Sequence, residues 1–198
     1  MKKRYLALGV VGLAAVFTVP PLLQASNNLV QVDQRVERSV GEVQSQIQRR
    51  YDLLPNLART AEASGANEKG IQSAIAEARS SMPAILKKDP TEISNNPELQ
   101  KQLIEAQAQS SAAVTRVNAA VEQVANVKSV DLYHDVMKEI AGTENRIQTA
   151  RRDMVVAIND YNGYIRMWPA SVPATILGYH RRPNFQAASQ DAPELFKK

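Results

Sequence analysis

The sequence contains no cysteine and only two histidines, His134 and His180. The absence of cysteine excludes disulfides, thiolate metal sites and a lipid-modified cysteine anchor, although it does not distinguish one cellular compartment from another. Zinc and redox centres need clustered ligands, and neither an HExxH motif nor a Gly-rich nucleotide loop occurs. We therefore predict no catalytic, cofactor-binding or metal-binding residues and no enzymatic activity.

Aromatic residues are also scarce, with three Phe, six Tyr and one Trp in 198 residues. The core should therefore be thin and closely packed, with many Ala and Val side chains. The formal charge of +4 depends on Lys2, Lys3 and Arg4; removing them from 24 basic and 20 acidic residues leaves a net charge of +1. Because no long basic stripe with interleaved aromatics occurs, we expect no nucleic-acid partner.

An apolar run at residues 5–23 follows these three basic residues. As a helix it would measure about 28 Å, close to the ~30 Å of a bilayer's hydrocarbon core. Two interpretations are open, a retained transmembrane helix and a cleaved signal peptide. Signal cleavage needs small residues one and three positions before the cut, and Ala25 fits this pattern whereas Leu23 does not. We therefore favour a retained anchor over residues 1–25 that binds the lipid bilayer through residues 5–23.

The charge distribution predicts how this anchor is oriented. Basic residues precede the span, whereas residues 24–34 contain no Lys or Arg. The positive-inside rule then places the N-terminus in the cytoplasm and the rest of the chain outside it. We expect a single-pass protein of the cell (inner) membrane, with a periplasmic or extracytoplasmic helical domain at residues 26–185 and a loosely ordered tail at residues 186–198.

Apolar residues recur at helical spacing through most of the remaining chain, which predicts an all-α fold. The predicted helices cover residues 27–64 (starting at 27 unless the helix continues directly from the anchor), 67–86, 97–127 and 129–168, and the segment 87–98 reads as a loop. With short connections, neighbouring helices run antiparallel. The prediction is an N-terminal transmembrane helix followed by an antiparallel bundle of about four long helices.

Two charged residues, Glu144 and Arg151, interrupt the apolar face of the last long helix. A charge facing the core must be paired, since an unpaired buried charge costs several kcal/mol. We predict a structural polar network that fixes helix register, with Glu144 paired most favourably to Arg50 or Arg79. The alternative is a site that binds a small molecule or an ion. The predicted network consists of Arg50, Asp52, Asn56, Arg79, Glu144 and Arg151.

The end of the last long helix and the segment after it combine aromatic rings with arginine, a composition favoured at membrane interfaces. An antiparallel last helix would return to the bilayer that the first helix leaves. We therefore predict a membrane interface made of Tyr161, Tyr164, Trp168, Tyr179, Arg181 and Arg182. The alternative is that Ile176, Leu177 and Phe185 fold back and cap the end of the bundle.

Four motifs resemble the LemA family of membrane proteins: RRYDLLPNLARTAE at 49–62, IAEARSSM at 75–82, GTENRIQTARRD at 142–153 and YNGYIRMWPASVPATILGYHRRPNF at 161–185. They occur in the family's order between residues 27 and 185. The chain departs from the family pattern at Ala58, at Trp168 and across residues 124–134. The resemblance implies an N-terminal membrane anchor, a bundle of long antiparallel helices and no enzymatic activity. The pattern carries over to Arg50, Leu54, Pro55, Asn56, Leu57, Arg79, Glu144, Arg146, Arg151, Tyr161, Asn162, Pro169, Gly178 and Phe185.

These observations predict a non-enzymatic interaction, scaffold or assembly protein of the cell envelope, with another envelope protein as a partner. The alternative function is a bundle that senses a small molecule or an ion through the Glu/Arg cluster. We also expect a homo-oligomer, because two helices alone could not cover the apolar face next to the membrane. That face comprises Val32, Val36, Val40, Ile158 and Ile165.

Overall fold

The computed structural model describes the backbone of residues 2–62, 68–122 and 131–184, and it describes side chains from residue 19 onwards except at 58, 60–62 and 68. These residues form helices and turns, with no strand among them. The helices are α1 (Lys2–Glu62), α2 (Glu68–Ser80), α3 (Pro90–Asn95), α4 (Pro97–Glu122), α5 (Asp131–Tyr164) and α6 (Ser171–Ile176), with a 3₁₀ turn at Ala84–Lys87. The predicted all-α class is thus confirmed, whereas the predicted tail at 186–198 lies outside the described residues.

Helix α1 continues without a break from the apolar run into the bundle, as one element of 61 residues. Helix α5 packs antiparallel along it. Two contacts show the register: the Tyr164 hydroxyl donates to the Ala25 carbonyl at 3.2 Å, and Arg49 pairs with Glu139 at 3.0 Å. Helices α2, α3, α4 and α6 also pack against α1, which is therefore the common support of the bundle.

The predicted apolar faces form the core where their side chains are described. On α1 the helical spacing of apolar residues produces one continuous buried face, and α4 contributes small side chains such as Ala106 and Ala113, both fully buried. Small residues allow helix axes to approach closely, which suits a core poor in aromatics. The buried α1 residues of this face are Leu29, Val36, Val40, Val43, Ile47, Tyr51 and Leu54.

The segment predicted as a loop, residues 87–98, contains helix α3. Asp89 accepts a hydrogen bond from the Thr91 amide at 2.8 Å, and Pro90 occupies the first turn. An Asp N-cap followed by Pro is a helix-start signal, and it succeeds here because Ile93 is fully buried. Burial of Ile93 stabilises a six-residue helix that would be marginal on its own.

The last long helix is shorter than predicted. α5 ends at Tyr164, and Trp168, which the periodicity placed on the apolar face, is 77% exposed. Turns at residues 165–170 interrupt the helical phase before α6 begins at Ser171. Because phase is lost at these turns, helical spacing no longer predicts which side chains face the core.

The apolar face next to the N-terminal segment is covered within one chain, contrary to the expectation that it would remain open. Val36, Val40 and Ile158 are buried, and Val32 and Ile165 pack partly buried against the same core. Helices α3 and α6, neither of which was predicted, pack against α1. The argument for self-association from an uncovered face is therefore wrong.

Across the residues that the structure describes, no helix combines the length and apolarity needed to cross a membrane. The predicted anchor spans residues 5–23, and the side chains up to residue 18 lie outside this description.

Candidate functional sites

The polar cluster of the bundle forms where α1, α4 and α5 meet. The Arg50 guanidinium pairs with the Glu144 carboxylate and also donates to the Ser111 hydroxyl at 3.0 Å. Gln107 of α4 donates to Glu144 at 3.0 Å and accepts from Arg151 at 2.9 Å. One glutamine side chain thus links the two charges that interrupt the apolar face of α5, and the cluster ties three helices together.

Burial and hydrogen bonding act in opposite directions on Glu144. Burial tends to raise the pKa of its carboxyl, but hydrogen bonds from Gln148 and Arg50, together with the charge of Arg50, outweigh burial and hold the pKa below its usual value. Burial lowers the pKa of the Arg151 guanidinium, partly offset by the charge of Glu144. The carboxylate form of Glu144 is thus the form that the cluster stabilises.

Only part of the predicted network lies in this cluster. Asp52 is exposed on α1, where it accepts a hydrogen bond from Gln48 at 3.1 Å. Asn56 is half-buried and accepts a bond of 3.4 Å from the exposed Arg59. Arg79, the other proposed partner of Glu144, is exposed on α2. These three residues do not contribute to the cluster, because the helical phase of α1 turns Asp52 and Asn56 away from Glu144, and Arg79 is exposed on α2, which packs on α1 and α4.

Gln107 and Ser111 were not predicted to belong to the cluster. Both are detectable in principle, because Gln107 follows the buried Leu103 by four residues and Ser111 follows Gln107 by four. Positions four apart lie on the same side of a helix. The sequence signal was therefore the pair of polar residues Gln107 and Ser111, which continue the line of the buried Leu103 along α4.

A second polar cluster joins the segment after α6 to the start of the bundle. The Asn162 amide group donates to the Arg182 carbonyl at 2.9 Å, and its oxygen accepts from the Arg182 amide at 2.9 Å. The Arg182 guanidinium pairs with Asp33 of α1 at 2.7 Å and lies 4.7 Å from the centre of the Tyr161 ring. The chain end is thus attached to both α1 and α5.

The position of this cluster corrects part of the predicted membrane interface. Tyr161 is 2% exposed, with its hydroxyl donating to the His180 carbonyl at 2.9 Å, and Arg182 is 3% exposed. Tyr179 is half-buried beside Tyr161, with ring centres 6.5 Å apart. Tyr161 and Arg182 therefore face the protein interior, because residues 179–184 fold back on the bundle. The cap predicted from Ile176, Leu177 and Phe185 is wrong for the first two, which are exposed, and Phe185 lies outside the described residues.

Burial is the largest influence on the pKa values of Asp33 and Tyr161 in this cluster. It raises the pKa of the Asp33 carboxyl despite the opposing charge of Arg182. It also raises the pKa of the Tyr161 hydroxyl. Asp33 and Glu144 both pair with arginine but shift in opposite directions, because Glu144 accepts further hydrogen bonds from Gln148 and Gln107.

Gly178 redirects the chain into this cluster. Its φ of 76° is left-handed, and the Tyr179 amide donates back to the Ala174 carbonyl at 2.9 Å. This geometry is the Schellman ending of a helix, in which glycine avoids the steric penalty of a side chain. It turns residues 179–184 back so that Arg182 reaches Asn162.

Several side chains at this end remain exposed, in contrast to Tyr161 and Arg182. Trp168 and Arg181 from the predicted interface face outward, whereas Tyr164 is half-buried against α1. Large apolar side chains nearby are also exposed, Ile176 by 77% and Leu177 by 56%. The predicted interface therefore divides into an exposed part and a part that holds the chain end in place.

An open groove of about 310 Å³ runs between α1 and α5, and Glu144 does not line it. Its lining includes Glu42, Asp153 and Arg146. No group of three or more His, Cys or acidic residues that could hold a metal occurs within the part of the chain that was described. Glu144 accepts its hydrogen bonds from the protein's own donors.

The fold and these clusters define a helical-bundle protein whose buried polar groups join helices to one another. A family model described as the LemA family matches residues 39–195, so the chain belongs to the LemA family. It is 29% identical over 206 residues to Magnetosome protein MamQ 2 of Paramagnetospirillum magneticum, covering 94% of this chain and 75% of the relative. With Magnetosome protein MamQ of Magnetospirillum gryphiswaldense it shares 31% identity over 193 residues, covering 89% and 69%.

Proposed function

We propose that this protein is a membrane-anchored, non-enzymatic scaffold or assembly factor of the cell envelope. The observation that carries the proposal is the continuity of α1, in which the apolar run at 5–23 and the support of the bundle are one helix. A continuous helix through Pro20 and Pro21 would join the bundle directly to the bilayer, without an intervening loop. The relatives support a membrane-associated role, since they are described as magnetosome proteins.

The proposed topology is a single span with the N-terminus in the cytoplasm and the bundle outside it, and it rests on the three basic residues before the apolar run. Alkaline carbonate extraction of membranes, followed by intact mass measurement, tests the anchor. We expect full-length protein in the membrane pellet. Soluble protein that begins at Ser26 would contradict the proposal and indicate a cleaved signal peptide.

Self-association and an envelope partner remain part of the proposal, although the apolar face that first suggested self-association is covered. Gly9 and Gly12 lie three residues apart in the apolar run, and small residues are enriched where transmembrane helices contact one another. Light scattering of the detergent-solubilised protein tests this step, and Gly9→Leu with Gly12→Leu is the informative variant. A monomer at micromolar concentration in the unmodified protein would remove self-association from the proposal.

We do not extend the proposal to small-molecule sensing. Both Glu144 oxygens are engaged by side chains of the same chain, Arg50 on one oxygen and Gln107 and Gln148 on the other. A ligand would have to displace these bonds. The cluster is better explained as a connection among α1, α4 and α5.

A further inference from the structure

Exposed apolar side chains concentrate at one end of the bundle. Ten large apolar residues are exposed within the described ranges, and five of them fall between residues 167 and 177. Two more, Val19 and Leu23, belong to α1 where the apolar run ends. We name the five the basal patch: Met167, Trp168, Val172, Ile176 and Leu177.

The basal patch is held at the level where α1 would leave a bilayer. The Tyr164 hydroxyl donates to the Ala25 carbonyl at 3.2 Å, and Ala25 lies two residues after Leu23, about 3 Å further along the helix. Helix α6 packs against α1 as well. The chain that follows Tyr164 therefore starts beside the end of the apolar run.

The chain segments that carry the basal patch and precede it at the N-terminus contain basic residues and no acidic ones. No Asp or Glu occurs between residues 161 and 185, and none precedes Asp33 in the chain. Arg166 and Arg181 are exposed in this region, whereas Asp33 is paired with Arg182. A second copy docking patch to patch would bring these like charges together. Anionic lipid headgroups would neutralise them.

We propose that the basal patch inserts into the headgroup region of an anionic bilayer and forms a second membrane contact beside the α1 anchor. Ile176 and Val172 lie four residues apart on one side of α6, opposite the buried Ala174. Trp and Arg are favoured where hydrocarbon meets headgroups. This contact would fix the tilt of the bundle relative to the bilayer. The inference rests on the membrane anchor of the proposed function.

Trp168 is the only tryptophan, so its fluorescence reports on the basal patch alone. The full-length protein is reconstituted into vesicles with and without anionic lipid, in which one lipid component carries bromine near the headgroup or deeper in the chains. We expect strong quenching by the shallow bromines, weaker quenching by the deep ones, and more quenching in anionic vesicles.

Two matched variants locate the contact. Ile176→Ser with Leu177→Ser changes exposed side chains and should reduce Trp168 quenching at least about twofold. Val156→Ser changes a side chain of α5 that is 56% exposed and lies outside the basal patch; it should leave quenching unchanged. Equal quenching in both variants would overturn the assignment of the contact to this patch.

Carbonate extraction of the same vesicles separates this inference from the proposed function. Retained protein with unquenched Trp168 overturns the basal contact and leaves the anchor standing. Extractable protein with quenched Trp168 supports the contact and removes the anchor, whereas extractable and unquenched protein overturns both. Unquenched emission that shifts to the blue as protein concentration rises would instead show a second copy on the patch.

Discussion

Arg50 and Glu144 form an ion pair between α1 and α5 in which the arginine is buried, while both members of the neighbouring pair, Arg49 and Glu139, are exposed. The Arg50 side chain is 9% exposed and that of Glu144 is 37% exposed. The corresponding values for Arg49 and Glu139 are 51% and 42%. Because both pairs join the same two helices, the more exposed pair, Arg49 and Glu139, is a control for the effect of burial on the strength of an ion pair.

We expect Glu144→Ala to lower the free energy of unfolding by about 1–3 kcal/mol, because it leaves the buried Arg50 without its carboxylate. The value is smaller than for a fully buried pair, since solvent reaches part of Glu144 and screens the interaction. Urea unfolding followed by circular dichroism measures it. Glu139→Ala is the control and should cost between zero and about 1 kcal/mol. Equal costs for the two variants would mean that Arg50 does not depend on Glu144.

The pKa of Glu144 predicts a pH dependence of stability. Its folded-state pKa is held below the unperturbed value of 4.5, so ionised Glu144 stabilises the fold above that value, and this contribution is lost as pH falls through the folded-state pKa. Glu144→Gln cannot titrate. The stability difference between the unmodified protein and this variant should therefore be greatest near neutral pH and shrink in acid. A difference that grows in acid would contradict the assigned direction.

Asp33 should behave in the opposite way, since burial raises its pKa above 3.8. A raised folded-state pKa favours the folded state at low pH, and this contribution is lost as pH rises through the folded-state pKa. The stability of the unmodified protein relative to Asp33→Asn should therefore fall across that window. Unfolding midpoints between pH 3 and 7 provide the test, and a rise in the difference would contradict it.

The segment at 179–184 should detach when Asn162 is changed. Asn162→Asp keeps the acceptor for the Arg182 amide but removes the donor to the Arg182 carbonyl. We expect faster hydrogen exchange of amides in this segment, with α4 amides unchanged. Asn159→Asp, on the exposed side of α5, is the control for added charge. Unchanged protection in Asn162→Asp would show that Asp33 and Arg182 suffice to hold the segment.

Small residues on α4 should limit how large its core side chains can become. Ala113 is fully buried, whereas its neighbour Ala112 is exposed. We expect Ala113→Leu to destabilise the protein by about 1–3 kcal/mol through overpacking. Ala112→Leu adds the same atoms on the solvent side and should change stability by less than about 0.5 kcal/mol. An Ala113→Leu variant with unchanged stability would indicate a looser core than the structure shows.

Helical spacing identified the core face of α1 and the two charges within the face of α5, because a regular helix repeats its orientation over many residues. It also predicted Arg50 as a partner for Glu144, since a buried charge needs an opposite one. It did not choose Arg50 over Arg79, because both lie on helices of the same bundle and only packing brings one of them near. It also missed helix α3, whose formation depends on burying Ile93 against the bundle.

The sequence by itself determined the helical class, the apolar run, the family and the positions where polar residues enter the core, since all of these depend on local spacing and composition. The tertiary structure alone decided the fate of the aromatic and basic residues near the chain end. Beyond Tyr164 the helix stops, Gly178 reverses the chain, and side-chain orientation no longer follows a period. Tyr161 and Arg182 are buried because Asp33 and Asn162 meet them there. Trp168 and Arg181, a few residues away, face outward because no described part of the bundle covers them.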